Sequence, residues 1–212
     1  MKIFLSAFVL ALIPALCAAG QSSALHSLAA ESAATAVVPE VPGPASSGVE
    51  KPLQPGLLAP SFSLPDLKGE EWLFDQSDPD SPFAGKITVL LFFASWCSHC
   101  KNELPYVKQL HEKYAGDSRL VITGVRTYRA RETEEINSFV KRMGLKFLIL
   151  SDTPKEDEIY SRTAKLYQVT GVPHTLIIDG EGVIRHLPRV SDFSSYVSEM
   201  SALIDPLLAE TR

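Results

Sequence analysis

ITVLLFFASWCSHCK, residues 87–101, runs an unbroken apolar stretch into two cysteines, Cys97 and Cys100, three positions apart. The apolar part, β-branched at its start, reads as a strand buried on both faces, the kind that sits inside a parallel or mixed sheet covered by helices. Behind the cysteines, Leu104, Val107, His111 and Tyr114 recur at helical spacing, with Leu110 beside them and Gly116 as a stop. A strand, a short loop carrying the cysteines and a helix are therefore expected in that order.

The pattern repeats outward. Residues 61–64 alternate like a strand, a turn follows at 66–69, and Trp72, Leu73 and Phe74 read as its partner. Residues 120–125 form the next strand. Ile136, Phe139, Val140 and Met143 make an apolar helical stripe closed by Gly144, and residues 147–150 are another strand. A helix with Ile159, Thr163, Leu166 and Tyr167 inward is followed by Gly171-Val172-Pro173 and a strand at 175–178. Asp179 to Gly182 signals a hairpin to residues 183–185. Phe193, Val197, Met200, Ile204 and Leu207 place a last helix inward, which Pro206 is expected to kink or shorten. Strands alternating with helices give an α/β domain with a mixed central sheet flanked by helices.

The N-terminus reads differently. Lys2 precedes an apolar run at residues 3–16 and then Ala18, Ala19 and Gly20. The run is short for a membrane span of ~20 residues and fits a secretory signal, so residues 1–20 are expected to be a cleaved signal peptide. An uncleaved anchor, or a lipoprotein at Cys17, is the less favoured reading, because Leu16 stands where a lipid-modified cysteine wants a small residue. Residues 21–55, rich in Ala, Ser and Pro, read as a flexible linker, and residues 56–212 as the folded domain. The expected location is the periplasm or cell envelope. A net charge of −5 lacks the basic footprint of nucleic-acid binding, and no phosphate-cradling Gly-rich motif is present.

Two cysteines at this spacing serve zinc, structure or exchange. Structural zinc wants four ligands, and the chain has no second such pair. A structural disulfide here would close a very small loop, where the stabilisation is least. Exchange fits the placement. The unpaired N–H groups and positive end of the helix favour thiolate at Cys97, and Cys100 lies one turn on. Cys97 is thus expected to be the exposed nucleophile and Cys100 the buried resolving thiol. His99, beside the pair, either stabilises the thiolate further or is a plain exposed loop residue.

WCSHC after an apolar strand, Pro105 five residues beyond the second cysteine, and GVPHT before a late strand together resemble the thioredoxin superfamily. More narrowly, APSFSLPDLKG, FAGKITVLLFFASWC and KNELPYV are similar to the opening hairpin, first core strand and active-site helix of the TlpA/ResA-like thiol–disulfide oxidoreductases of the bacterial envelope. The helix–strand unit between Val125 and Asp152 matches their central insertion. The resemblance covers roughly residues 56–208.

It implies a thioredoxin-like fold and a cis Val172–Pro173 bond. In the family that proline faces the cysteines, keeps metals from them and offers backbone groups to an incoming substrate chain, which makes Val172 and Pro173 substrate-binding. Glu103 falls at a family position near the buried cysteine and is either a candidate proton acceptor or a solvated first-turn glutamate that stabilises the helix N-terminus. Trp96 either shields and shapes the site or simply packs. No metal and no cofactor beyond the Cys97–Cys100 redox pair are expected. The implied partners are cysteine-containing envelope proteins, such as apocytochrome c or copper-site proteins, with a membrane electron donor or acceptor, acting on a monomer.

Two departures bear on direction and on the site. Reducing family members commonly carry Pro before the second cysteine, where this chain has His99; His there resembles the oxidant DsbA. His174 stands where the family often has Thr. The expected function is reduction of selected partners, the alternatives being a DsbA-like oxidant or a copper(I) carrier using the cysteines with His99 or His174. A peroxidase of the peroxiredoxin type shares the fold, but its PxxxTxxC motif would need Pro and Thr where the chain has Leu90 and Ala94.

Overall fold

The computed structural model describes residues 52–127, 134–153 and 161–210. The signal segment with Cys17, all of the 21–55 linker but its last few residues, and Ile159 lie outside the described residues.

The stretch that opens the sequence reading is strand β3, Ile87–Phe93, and every residue of it is buried. Its alternation sends side chains to two cores. Ile87, Val89, Leu91 and Phe93 face one, and Leu90 and Phe92 face the other. β3 pairs in parallel with β4, Leu120–Arg126, which pairs in parallel with β5, Leu148–Ser151. On its other edge β3 pairs antiparallel with β6, His174–Ile178, which pairs antiparallel with β7, Ile184–His186. The sheet order is β5-β4-β3-β6-β7. The sheet is mixed and both faces are covered, as the apolar run required.

The hairpin expected near the start is β1, Phe62–Pro65, with β2, Glu71–Phe74. Its turn is held by the Asp66 carboxylate, which accepts from the Lys68 and Glu70 N–H groups at 2.7 and 3.0 Å. Phe62 stacks on Phe74, and both join Phe83, Phe92 and Tyr167 in the second core.

The first core is covered by helices. α1, Ser98–Lys113, buries Leu104, Val107 and Leu110 and runs through Pro105 unbroken. α2, Ile136–Met143, buries Ile136 and Phe139 and ends at Gly144, whose left-handed φ of 66° forms the C-cap. α4, Tyr196–Glu210, contributes Met200 and Ile204. Short α3, Arg162–Leu166, packs on the other face through Ala164.

Several local readings shift. α4 continues through Pro206 to Glu210, so the proline does not shorten it. Phe193 belongs instead to a 3₁₀ turn, capped by Asp192 accepting from the Ser194 N–H at 2.9 Å. Met200, Ile204 and Leu207 are inward as expected, while Tyr196 is buried and Val197 only half-buried. In α3, Thr163 and Tyr167 point inward as expected, while Leu166 is half-buried and Ala164 takes the core position.

Gly124 in β4 shows how tightly β3 is held. A Cβ there would meet the Phe93 ring at 2.9 Å, Ile149 Cδ1 at 3.0 Å and the Phe147 ring at 3.2 Å. Gly124→Ala should therefore cost about 1–3 kcal/mol by overpacking, read as a lower urea midpoint with an unchanged slope. An unchanged midpoint would mean that the Phe93 ring moves aside freely.

Candidate active site

Cys97 is the N-cap of α1, with φ −76° and ψ 118°. Its Sγ sits where a cap oxygen normally sits and accepts from the Cys100 N–H at 3.2 Å. As a thiol it donates to the Val172 carbonyl at 3.4 Å. The Val172–Pro173 peptide bond is cis. β6 begins one residue later, and His174 is in register with Phe92 of β3. The antiparallel β3–β6 pairing thus brings the Gly-Val-Pro loop to the sulfur.

Cys97 keeps 6% of its surface and Cys100 1%; neither is in a disulfide. The expectation of a well-exposed Cys97 is corrected here. The loop carrying Val172 closes over the sulfur, a contact across 75 positions of chain that local reading does not see.

The two thiols are driven apart electrostatically. A hydrogen bond from the Cys100 thiol is the largest effect lowering the Cys97 pKa. Burial opposes it. The N–H groups of Cys100 and His99 and the charge of the His99 imidazole then help, in that order, and bring the pKa from 9.0 to about 6. For Cys100, burial is the largest effect, and with donation to Cys97 and the nearby Cys97 and Glu103 charges it pushes the thiol well above its ordinary range. At neutral pH this favours thiolate at Cys97 and thiol at Cys100.

Glu103 lies in the second turn of α1 and keeps only 6% of its surface. Burial above all, with the Cys97 charge adding to it, lifts its pKa to about 7, against the hydroxyls of Tyr196 and Thr175. The Tyr196 hydroxyl is itself buried, facing Glu103 but making no hydrogen bond of full geometry. His99 is exposed, and Trp96 is half-buried against the first core. His174 is half-buried, its Nε2 enclosed without a partner, and burial lowers its pKa.

Cys97, His99, Cys100 and Glu103 share one helix start, and Val172 and Pro173 arrive from the facing loop. Sequence reading missed Thr175 and Tyr196. Both reach Glu103 from other elements, and only the apolar stripe of α4, which Tyr196 extends by one turn before Met200, hinted at Tyr196.

This arrangement defines a thioredoxin-like protein whose helix-capping cysteine faces a cis-proline loop. The AhpC/TSA family model matches residues 55–187. The thioredoxin-like protein YneN of Bacillus subtilis is 31% identical over 136 residues, covering 64% of this chain and 71% of that one. The thiol–disulfide oxidoreductase ResA of Bacillus thuringiensis is 32% identical over 136 residues, covering 64% and 69%. Among solved structures, the thioredoxin domain of a thiol–disulfide oxidoreductase from Bacteroides vulgatus superposes with a TM-score of 0.55 at 26% identity, covering 70% of this chain and 98% of that one. The chain belongs to the AhpC/TSA family of thioredoxin-like proteins. It is a thiol–disulfide oxidoreductase.

Two measurements follow from the electrostatics. The rate of Cys97 alkylation by iodoacetamide should rise with pH around a midpoint of about 6. Cys100→Ala should move that midpoint up further than His99→Ala does, because the Cys100 thiol is the larger influence; the reverse order would refute it. Glu103 stays protonated in the fold up to about pH 7, but in the unfolded chain only up to its ordinary 4.5. The folded state therefore binds the extra proton between these values, and stability should fall as pH rises from about 4.5 to 7. Urea midpoints of Glu103→Gln should lack that component of the slope.

Proposed function

We propose that the protein reduces selected disulfides of envelope proteins, apocytochrome c or copper-site proteins among them. Cys97 is the nucleophile, Cys100 the resolving thiol and Glu103 the proton acceptor. The observation that carries this reading is the split between two neighbouring sulfurs, one thiolate-prone at a helix N-cap and one held as thiol, beside the Val172 carbonyl.

The Cys97 thiolate attacks one sulfur of a partner disulfide. That S–S bond breaks, and the leaving partner thiolate takes up a proton. Cys100 then gives its proton to Glu103, whose pKa of about 7 suits exchange near neutrality. The Cys100 thiolate attacks Cys97 in the mixed disulfide and releases the second partner sulfur. Two electrons have passed to the partner, and the chain is left as the Cys97–Cys100 disulfide. A membrane electron donor restores the dithiol, and the pair needs no further cofactor. The protein works as a monomer, exported to the periplasm or cell envelope.

Magnitude favours the reducing direction. Thiolate stabilisation makes the dithiol easier to form and the disulfide more oxidising. With a Cys97 pKa of about 6, ionisation at pH 7 favours the reduced form by about 1.4 kcal/mol, or roughly 30 mV. The gap between the reductant thioredoxin and the oxidant DsbA is ~150 mV. His99, which favours the oxidant reading, is the smallest of the influences on Cys97. The copper reading lacks comparable support, since the described residues bring no group of three His, Cys, Asp or Glu ligands together.

Cys100→Ser, expressed in cells, should accumulate partner proteins disulfide-linked to Cys97, and the wild-type potential should lie nearer ~−270 than ~−120 mV. Glu103→Gln should slow release of the mixed disulfide by roughly 10²-fold while Cys97 alkylation persists. Absence of any trapped protein alongside normal growth would sink the reading.

A further inference from the structure

A cavity of about 330 Å³ opens beside the cis-proline loop. One wall is Gly171, Val172, Pro173 and His174, and the other ends in Leu187 and Arg189. Val172, whose carbonyl lies 3.4 Å from Cys97 Sγ, is one of its lining residues, so a chain joined to that sulfur starts close to this wall. No Asp or Glu lines it. Arg189 is exposed and makes no ion pair among the described residues, and its charge reaches His174. Enclosed His174 Nε2 has no hydrogen-bond partner. An unpaired cation and an unpartnered imidazole nitrogen thus border one cavity that holds no counter-charge.

We propose that this cavity receives the carboxylate of an Asp or Glu close to the attacked cysteine in the partner polypeptide, with Arg189 supplying the charge and His174 Nε2 a hydrogen bond. The reading rests on the exchange function proposed above and names what selects its partners. Neutral His174 donates from Nε2 when its proton sits there, and burial favours the neutral form. An extended partner chain advances about 3.3 Å per residue, which spaces side chains on either side of its cysteine along the cavity wall. Lysine at the same place would meet the Arg189 charge instead, so selection comes from repulsion as well as attraction.

The test uses the full chain carrying Cys100→Ser. It is reacted with peptides holding one activated cysteine and Glu, Ala or Lys at one to four residues from it. Rates are compared as Glu-to-Lys ratios, so a general change in reactivity cancels. At its best position Glu should outpace Lys by about three- to tenfold. Arg189→Glu should invert the ratio, and His174→Phe should lower it. Lys141→Glu, which changes the net charge equally at an exposed site on α2, should leave it unchanged. Equal Glu and Lys rates, a ratio that survives Arg189→Glu, or a Lys141→Glu effect as large as that of Arg189→Glu would each overturn the proposal. A preference confined to a small carboxylate-bearing disulfide, and missing from the peptides, would overturn the polypeptide assignment. Failure of every peptide to form a mixed disulfide would instead strike the exchange function itself.

Discussion

The seat of the Cys97 sulfur at the start of α1 is the constraint on which the site depends. A side chain there accepts the Cys100 N–H, and the position is fixed only because β3 cannot shift. β3 is buried on both faces, paired on both edges, and held against Gly124 by a ring that leaves no space for a methyl group. A one-residue slip would exchange the residues facing the two cores and carry the cysteine loop with them. The same register sets Phe92 opposite His174, which brings the Val172 carbonyl to the sulfur. The core packing therefore positions the chemistry directly through β3 and the β3–β6 register.

Burial acts in the same direction on neighbouring groups that nonetheless end at different pKa values. It disfavours charge at Cys97, Cys100 and Glu103 alike. What separates them is local hydrogen bonding. Cys97 has the Cys100 thiol and the first N–H groups of the helix to offset its desolvation, and Cys100 has little that does so. Glu103 lies between, with two hydroxyls restraining a carboxyl that burial would lift further. A thiolate-prone sulfur, a proton-holding thiol and a carboxyl that titrates near neutrality emerge from one environment through different partners. An exposed histidine adds little to a sulfur already served by backbone donors.

Much of this was legible in the chain because it is local. β3, the helix start at the cysteines, the hairpin at Asp66 and the Gly144 cap each follow from residues within a few positions of one another. What was not legible depends on distant chain. The burial of Cys97 comes from a loop 75 residues away. The partners of Glu103 come from β6 and α4, and no periodicity within α1 points to them. Tyr196 was missed because the Asp192 side chain caps a separate turn that takes Phe193 out of α4, leaving Tyr196 as the helix's first core residue. Pro206 was over-weighted for the opposite reason: α4 is anchored on both sides of it by Ile204 and Leu207 in the core, and burial outweighs the lost backbone bond.

The small remaining surface of Cys97 also bears on selectivity. A thiolate attacks along the axis of the disulfide it cleaves, so the partner sulfurs must line up with Cys97 Sγ. With 6% of that residue exposed, few approaches satisfy the alignment, and the Val172 carbonyl lies beside the sulfur in all of them. A freely diffusing disulfide gains nothing from the surrounding loop to offset the lost orientations. A polypeptide does, through contacts made on either side of its cysteine, and such binding lowers the barrier insofar as it holds the sulfurs in line. The enclosure that complicates thiolate formation thus also disfavours indiscriminate exchange, and a sulfur this sheltered suits exchange with chosen partner chains better than with bulk small disulfides.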